Sequence, residues 1–438
     1  MIESRIRTYN RLKQQANDET SARKQELILV VAFLVIVSTI IFLPQLATAL
    51  KYSLLPLSLV LLFKYDSFEY LIFPLCFLDN PMGTLIMGRF TLLIFYLPFL
   101  FYKLFIKKKS KIKRSYLLVL VLSILYFAFA YSYYGNVSIK QIIIIICSMI
   151  IGEECLKERE RFDGLFAVLY LSSLIPALAL CFGLTGTVGE TERMAGVGFS
   201  DPNYASFVCC IGLCVLLNVQ FNKPYKKALQ TIACVIIIIG IFRSGSRAGL
   251  LVALGILVLK IILTRGVTKR IKIAVGIAAV AVIGLFLINA NVIRISNLDY
   301  ILERWEETFN AFTVGDVEYA TAARSSIANT YMDYFLREGL LRQLFGFNVV
   351  GTQSIFSAIG RTVVTHNVYI DYLMAFGVFG AIVMFGLYLS RLYNYYKLYR
   401  ATSDPAYLAV VEIKTAMLVF GASLAMLQTY IWWFLFLI

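Results

Sequence analysis

The single histidine of the chain is its clearest candidate for acid–base chemistry. His366 lies in the sequence GRTVVTHNVYIDYLMAFGVFG, at the start of a long apolar run. Thr365 is predicted to cap a helix that begins there, which places His366 in the first helical turn. The positive end of the helix dipole lowers the pKa of a histidine, and a neutral imidazole can accept a proton. The alternative is a histidine at a membrane interface that binds a lipid headgroup.

Arginines beside turn-forming residues are the second group of candidates. Arg243 and Arg247 flank the turn in FRSGSRAG, residues 242–249, and Arg193 lies in TERMAGVGFSDPNYAS, residues 191–206. A guanidinium can bind phosphate or carboxylate through two parallel hydrogen bonds. The alternatives are a tight turn between helices and, for DPN, an ordinary helix start. Neither accounts for the arginines, and Arg247 begins an apolar run in which a charge needs a partner.

Composition places these residues in a membrane protein. Of the 438 residues, 60% are hydrophobic and only 15% are charged, whereas a soluble domain carries about 25% charged residues. This excludes a soluble enzyme, a disordered chain and a nucleic-acid-binding domain. Cys209, Cys210 and Cys214 lie in an apolar run without a nearby histidine. They are therefore predicted to be buried thiols and not metal ligands.

The apolar runs predict an all-α polytopic membrane protein with about 12–13 transmembrane helices. A span needs about 20 mostly apolar residues, and lipid requires that its backbone be helical. The predicted spans are 27–43, 46–63, 66–80, 85–105, 116–134, 138–154, 164–184, 204–221, 228–243, 247–264, 272–290, 367–390 and 408–430.

Basic residues predict the orientation of these spans. The net charge of +15 is concentrated in the N-terminal tail and in alternate loops, which the positive-inside rule assigns to the cytoplasm. The predicted organisation is a cytoplasmic basic tail over 1–26, N-terminal transmembrane helices over 27–290 with outer loops at 185–203 and 243–247, a large extracytoplasmic loop over 291–366, and C-terminal transmembrane helices over 367–438.

The loop over 291–366 is long enough to build a site outside the membrane. Apolar residues recur at helical spacing in IRISNLDYILERWEETFNAF and in TAARSSIANTYMDYFLREG, which contains Arg324. The sequence LRQLFGFNVVGTQ is predicted to form a glycine-containing turn. We therefore expect short helices in this loop. Its arginines either pair with acidic residues of the same loop or bind an anionic ligand.

Taken in order, these segments resemble the O-antigen ligase and polymerase family. The resemblance rests on RMAGVGFSDPN, on the SRA turn, on the arginine helix followed by FGFN, and on HNVY at the start of a late span. It covers roughly residues 190–392. One departure is FGFN, where the family often has a second glycine. The resemblance implies a fold similar to the integral-membrane glycosyltransferases of the GT-C type. It also implies transfer of a glycan from a polyprenyl pyrophosphate to an acceptor hydroxyl.

The resemblance also implies roles for individual residues. His366 would be the general base that accepts the proton of the acceptor hydroxyl. Arg247 and Arg324 would stabilise the charge that develops on the pyrophosphate, so neither a metal nor another cofactor is expected. Attack opposite the leaving group inverts the anomeric centre. The expected substrate-binding residues are Arg193, Asn203, Arg243, Asn367 and Tyr369.

Three functions remain open from the sequence. We favour a polymerase of O-antigen, capsule or exopolysaccharide repeat units, because the outer loop shows nothing typical of a protein-acceptor site. The alternative is a ligase that transfers finished glycan to a lipid A core or a protein. An alternative of another class is a flippase for lipid-linked glycan. It is disfavoured because no internal repeat is evident and the charges are predicted to lie at the ends of spans.

The expected partners follow from the same resemblance. They are an undecaprenyl-pyrophosphate-linked glycan donor, a glycan acceptor and the lipid bilayer, with no nucleic acid. The resemblance also allows a chain-length regulator as a partner. The expected location is the bacterial cytoplasmic membrane, with a cytoplasmic N-terminus and the active site on the outer face.

Overall fold

The computed structural model describes a part of the chain that includes most of the predicted site. The described residues are 24–40, 42–43, 47–65, 70–71, 74, 159–183, 201–221, 223–268, 270–271, 273–276, 278, 298–316, 318, 324–347, 365–424, 432 and 435. The chain divides into two compact units, Met1–Lys109 and Ser110–Ile438, and the candidate site belongs to the second. The predicted spans 66–80, 85–105, 116–134, 138–154 and 272–290 lie wholly or largely outside the described residues.

Within the described residues, all regular secondary structure is helical. The helices are α1 (residues 24–40), α2 (Ala47–Tyr65), α3 (Arg159–Cys181), α4 (Pro202–Leu216), α5 (Pro224–Arg243), α6 (Arg247–Leu263), α7 (Leu298–Thr313), α8 (Arg324–Arg337), α9 (Leu340–Phe345), α10 (Val368–Thr402) and α11 (Pro405–Gly421).

Three of these helices are long and apolar enough to cross a membrane: Phe162–Cys181, Pro224–Arg243 and Val368–Thr402. The segments Tyr52–Tyr65 and Pro202–Leu216 are shorter apolar helices. The predicted class, an all-α protein with apolar helices suited to a membrane, is confirmed at this level.

Small residues allow the helices of the second unit to pack closely. A Cβ atom on Gly240 of α5 would lie 2.9 Å from the Cα atom of Ala177 in α3. The α4 cysteines Cys209, Cys210 and Cys214 are free thiols that are completely buried in this packing. Their role as small apolar side chains agrees with the sequence prediction.

A buried polar triangle connects three helices. The Lys260 ammonium on α6 donates a hydrogen bond to Oδ1 of Asn218, which follows α4. Asn218 Nδ2 donates to Glu412 Oε2 on α11 at 2.6 Å, and Lys260 Nζ lies 4.0 Å from Glu412 Oε1. Glu412 and its neighbour Lys414 are completely buried within α11. The expectation that charges lie only at the ends of spans is therefore wrong for this helix, because these groups have polar partners inside the bundle.

Helix α10 contains a sharp reversal of direction at Gly377. The sequence predicted one continuous span over 367–390. Gly377 instead has φ +66° and ψ −176°, which is outside the helical region. The rings of Tyr369 and Phe385 are 5.2 Å apart, although a straight helix would separate these residues by about 24 Å. The chain therefore forms a short helix, α10a (residues 368–376), that folds back on a long one, α10b (residues 378–402).

The large loop contains the short helices that its periodicity predicts. The two amphipathic stretches form α7 and α8. The sequence LRQLFGFN, predicted to be a turn, begins instead as helix α9 and reaches its turn only at Gly346, with φ +78°. Leucines and a glutamine favour the helical state here, and the chain turns where glycine permits a positive φ.

The turn after α9 docks on the break in α10. The backbone N–H of Phe347 donates to the carbonyl oxygen of Met374 at 2.6 Å, which satisfies an acceptor that the break exposes. A Cβ atom on Gly346 would lie 2.5 Å from the backbone of Ala375 and Gly377. The loop and the final helices are thereby joined, and α8 is brought to the helix that follows His366.

Candidate active site

The N-termini of α4 and α6 lie side by side. Ser246 caps α6 and accepts the backbone N–H of Gly249 at 3.0 Å. Its hydroxyl also donates to Oδ1 of Asn203, in the first turn of α4, at 2.6 Å, and both side chains are buried. A Cβ atom on Gly249 would lie 2.5 Å from Cβ of Ser206. The SRA turn is therefore held against the DPN segment that precedes it in the sequence.

The two arginines of the turn bind different partners. Arg247, the first residue of α6, donates to the hydroxyl of Thr308 in α7. Thr308 donates in turn to the carbonyl oxygen of Arg304 at 2.6 Å. Arg243 instead donates to the carbonyl oxygen of Cys181, at the end of α3, at 3.1 Å. Arg247 thus connects α6 to the loop, whereas Arg243 caps a neighbouring helix.

His366 precedes the helix α10a and does not belong to its first turn. Asn367 is the N-cap, since its Oδ1 accepts the backbone N–H groups of Tyr369 at 3.0 Å and Ile370 at 3.3 Å. The prediction that Thr365 caps the helix is therefore wrong. His366 has φ +48°, a left-handed conformation that residues other than glycine adopt rarely. A helix cannot start before such a residue, so the cap moves to Asn367.

A hydrogen bond to a buried carboxylate fixes the segment that carries His366. The Thr365 hydroxyl donates to Oδ1 of Asp371 at 2.5 Å and accepts the backbone N–H of Asn367 at 3.2 Å. Thr365 and Asp371 are both buried. The chain on either side of His366 is therefore anchored to α10a, which holds the imidazole in place.

Helix α8 brings Arg324 to the same place. Arg324 is the first residue of α8, and the apolar face of this helix packs against α10a one and two turns beyond His366. The buried residues of this contact are Ile327, Tyr331, Phe335, Phe347, Ile370 and Met374.

Electrostatic interactions connect His366 and Arg324 with Asp201, the N-cap of α4. Burial lowers the pKa of His366 below its usual 6.5, the positive charge of Arg324 lowers it further, and Asp201 opposes both. Burial also lowers the pKa of Arg324, with Arg304 acting in the same direction and Asp201 against it. His366 is therefore neutral at pH 7, whereas an arginine remains charged.

Four helix N-termini meet at this cluster: those of α4, α6, α8 and α10. Each N-terminus carries roughly half a positive charge and exposes backbone N–H groups, so it favours a nearby anion. Arg324 adds a full positive charge to this environment, which Asp201 partly offsets, and Arg247 lies at the adjoining start of α6 with Thr308 as its partner. The arrangement can bind a multiply charged anion beside a neutral imidazole. Among the described residues, no group of three or more His, Cys, Asp and Glu side chains could hold a metal ion.

No protein-family model and no curated protein matches this chain. Its function must therefore be inferred from the residues and their geometry.

The structure brings together some of the predicted site residues and separates others. His366 and Arg324 belong to the cluster, Asn203 joins the start of α4 to Ser246 at the start of α6, and Asn367 caps the helix beside His366. Arg247 lies at the start of α6 and binds Thr308 of α7. Arg243 and Tyr369 are directed to other partners; the Tyr369 hydroxyl donates to the carbonyl oxygen of Leu418 in α11. Arg193 lies outside the described residues.

Sequence reasoning missed three polar residues of the cluster. The sequence predicts Asp201 only as part of the turn and helix start at DPN, although its position near Asn203 could have drawn attention to it. Asp371 has a detectable signal, because an acidic residue inside an apolar run needs a partner. Thr308 has no such signal, since a threonine on the face of an amphipathic helix is common.

Proposed function

We propose that this protein is a membrane glycosyltransferase that polymerises glycan repeat units carried on polyprenyl pyrophosphate. The observation that carries the proposal is the meeting of His366, which is neutral at pH 7, with Arg324 where four helix N-termini converge. A site of this kind can bind a pyrophosphate and accept a proton. The chemistry is that of group transfer from a pyrophosphate ester to a hydroxyl.

The proposed reaction has one bond-forming and one bond-breaking event. The acceptor hydroxyl oxygen attacks the anomeric carbon of the donor as the bond from that carbon to the pyrophosphate oxygen breaks. The pyrophosphate leaves with the electron pair, and Arg247, Arg324 and the helix N-termini stabilise its negative charge. His366 accepts the proton of the acceptor hydroxyl and later releases it to water. Attack from the side opposite the leaving group inverts the anomeric configuration.

The burial of His366 suits this role. A base with a pKa below 6.5 is unprotonated at neutral pH, so it is ready to accept a proton in every catalytic cycle. Because two arginines supply fixed positive charge, we propose that the reaction needs no metal. Thr365, Asn367 and Asp371 act as positioning residues, since they hold the chain on both sides of the imidazole.

The proposed orientation follows from the distribution of basic residues. We place the N-terminus in the cytoplasm and the site on the outer face of a bacterial cytoplasmic membrane, where a lipid-linked glycan is presented for polymerisation. The proposal includes about 12–13 membrane spans and a likeness to the GT-C type of fold.

Replacing His366 tests the proposed reaction directly. We expect His366→Ala to insert and accumulate as the wild type does but to produce no polymer in a membrane assay with lipid-linked repeat units. General-base catalysis contributes typically 10²–10⁴-fold in rate, so the loss should be nearly complete. A normal polymer ladder from this variant would refute the role of His366.

The product distinguishes polymerase from ligase. A polymerase gives a ladder of glycans that remain on the polyprenyl carrier, whereas a ligase gives glycan attached to a lipid A core or a protein. Separating carrier-linked glycan from acceptor-linked glycan and measuring each product decides between the two activities.

A transporter of lipid-linked glycan remains the second candidate, because the buried Lys260, Glu412 and Lys414 are charged groups inside apolar helices. If flipping is the function, His366→Ala will leave the translocation of lipid-linked repeat units in vesicles unchanged. The glycosyltransferase proposal instead expects His366→Ala to form no polymer.

A further inference from the structure

An open apolar cleft lies between the two helices that form the SRA hairpin. It has a volume of about 340 Å³ and lies between α5 and α6. All its lining side chains are apolar, including Ile241 and Phe242 of α5 and Leu250, Ala253 and Leu254 of α6. The ring of Trp305 from α7 completes the lining. Because pockets for organic ligands are commonly about 300–1,000 Å³, this cleft suits a short stretch of one hydrocarbon chain.

The cleft begins beside the charged group at the start of α6. Residues three, four and seven positions apart share one face of a helix, so Arg247 lies on the same face as Leu250, Leu251 and Leu254. This face is positively charged at its N-terminal end and apolar for the next two turns. It matches a molecule with an anionic head and an apolar chain.

Helix α7 contributes to both ends of this surface. Thr308 binds Arg247, and Trp305, one turn earlier on the same face of α7, covers the cleft. Leu302 and Phe309 are 57% and 63% exposed, so α7 also presents apolar side chains outward. A helix with this pattern is suited to the interface of a bilayer, where a lipid can pass beneath it.

We propose that this cleft binds the first isoprene units of the donor's carrier chain, with the pyrophosphate at Arg247. The inference rests on the proposed function, from which the polyprenyl pyrophosphate is taken. The volume of the cleft suits one chain, and Arg247 at the start of α6 supplies the positive charge for the head group. The carrier is thereby held in one direction, from the head group at the helix N-termini into the apolar part of the hairpin.

Photo-crosslinking with a sugar-free probe tests this inference independently of glycan transfer. The full chain in nanodiscs is irradiated with a polyprenyl pyrophosphate that carries a diazirine on its first isoprene units. We expect the label to map to the cleft-lining segments of α5 and α6 and to Trp305. Labelling confined to other segments overturns the assignment.

A pair of variants on α6 provides a matched comparison. Leu254→Trp places bulk at the rim of the cleft, where residue 254 is 60% exposed and the substitution can be accommodated. We expect labelling to fall about tenfold, which corresponds to about 1.4 kcal/mol. Ile262→Trp, on the same helix at a 58% exposed position outside the lining, should label as the wild type does. Equal labelling of the wild type and Leu254→Trp overturns the proposal.

Further outcomes distinguish a polyprenyl chain from bulk lipid in the cleft. They also distinguish binding in the cleft from glycan transfer. Equal labelling of the cleft by a diazirine phospholipid shows that ordinary lipid occupies it, which overturns the assignment to a polyprenyl chain. Labelling by the polyprenyl probe in a protein that transfers no glycan supports the cleft and contradicts the proposed function. Glycan transfer without labelling of the cleft contradicts the cleft alone.

Discussion

Replacing Gly377 by alanine should disconnect the loop from the helix that follows His366. Gly377 has φ +66° and ψ −176°, a conformation that is open almost only to glycine. Imposing it on alanine costs about 1–3 kcal/mol. The added Cβ would also overlap the backbone of Leu344 and Gly346. The turn after α9 must then move away, and the hydrogen bond from Phe347 to Met374 will be weakened or lost.

The expected loss of stability can be estimated from these contributions. A backbone hydrogen bond contributes about 0.5–1.5 kcal/mol, so we expect a total destabilisation of about 2–4 kcal/mol. The destabilisation falls on the contact between the loop and α10a. This contact also holds Arg324, at the start of α8, near His366. We therefore expect polymer formation to decrease more strongly than the amount of protein in the membrane.

A second glycine on the same helix provides the control. Gly386 of α10b faces open space, because a Cβ atom added there would meet no atom of the described neighbouring residues within 4 Å. Gly386→Ala should leave activity unchanged and raise stability by about 0.5–1 kcal/mol, since alanine is the better helix former. The assays are thermal unfolding in nanodiscs and the polymer ladder from lipid-linked repeat units. If Gly377→Ala equals Gly386→Ala in both assays, the break in α10 does not hold the site together.

Four further predictions test the cluster and the buried polar triangle. Arg247→Lys should lower polymer formation by roughly tenfold or more if two parallel hydrogen bonds to pyrophosphate are required. The control is Arg337→Lys, at the exposed end of α8. Equal polymer formation by the two variants would argue for a purely structural Arg247. The rate should fall with acidification through a midpoint below 6.5, because His366 must be neutral and its pKa is lowered; a midpoint above 6.5 contradicts the assignment. Thr365→Val should destabilise the protein by about 1–3 kcal/mol in thermal unfolding, because a buried carboxylate loses its donor, whereas Thr365→Ser should be nearly neutral. Glu412→Gln should destabilise the protein by about 3–5 kcal/mol, because the buried Lys260 ammonium loses its carboxylate partner. An unchanged midpoint of thermal unfolding would show that the ion pair is dispensable.

The sequence predicts the existence of the helices far better than the geometry of their ends. Long apolar runs and amphipathic periodicity correctly indicate α5, α7 and α8, because burial of one face or of the whole helix determines these elements. The N-cap before α10 is predicted at Thr365 and lies at Asn367. Both residue types cap helices well, and the choice depends on the left-handed His366 and on a buried carboxylate one turn away.

The reversal at Gly377 could not be predicted from the apolar run that contains it. Glycine is common in membrane helices, and Gly386 in the same helix causes no break. The difference lies in the partner: Gly377 is opposed by Gly346, which comes from a separate segment of the sequence. Likewise, Arg243 and Arg247 flank the same turn, and the sequence does not distinguish their roles. Arg243 caps α3 and Arg247 contacts α7 because of where these two helices lie.

The polar triangle of Asn218, Lys260 and Glu412 also constrains the order in which the protein is assembled. Asn218 is synthesised before Lys260, so the ammonium has an amide partner as soon as α6 packs beside α4. Its carboxylate partner follows about 150 residues later, which is roughly 8–30 s at ordinary rates of translation. During that interval α6 carries a positive charge without its counter-ion. The hairpin of α5 and α6 therefore reaches its final stability only when α11 has been synthesised and has packed against α6.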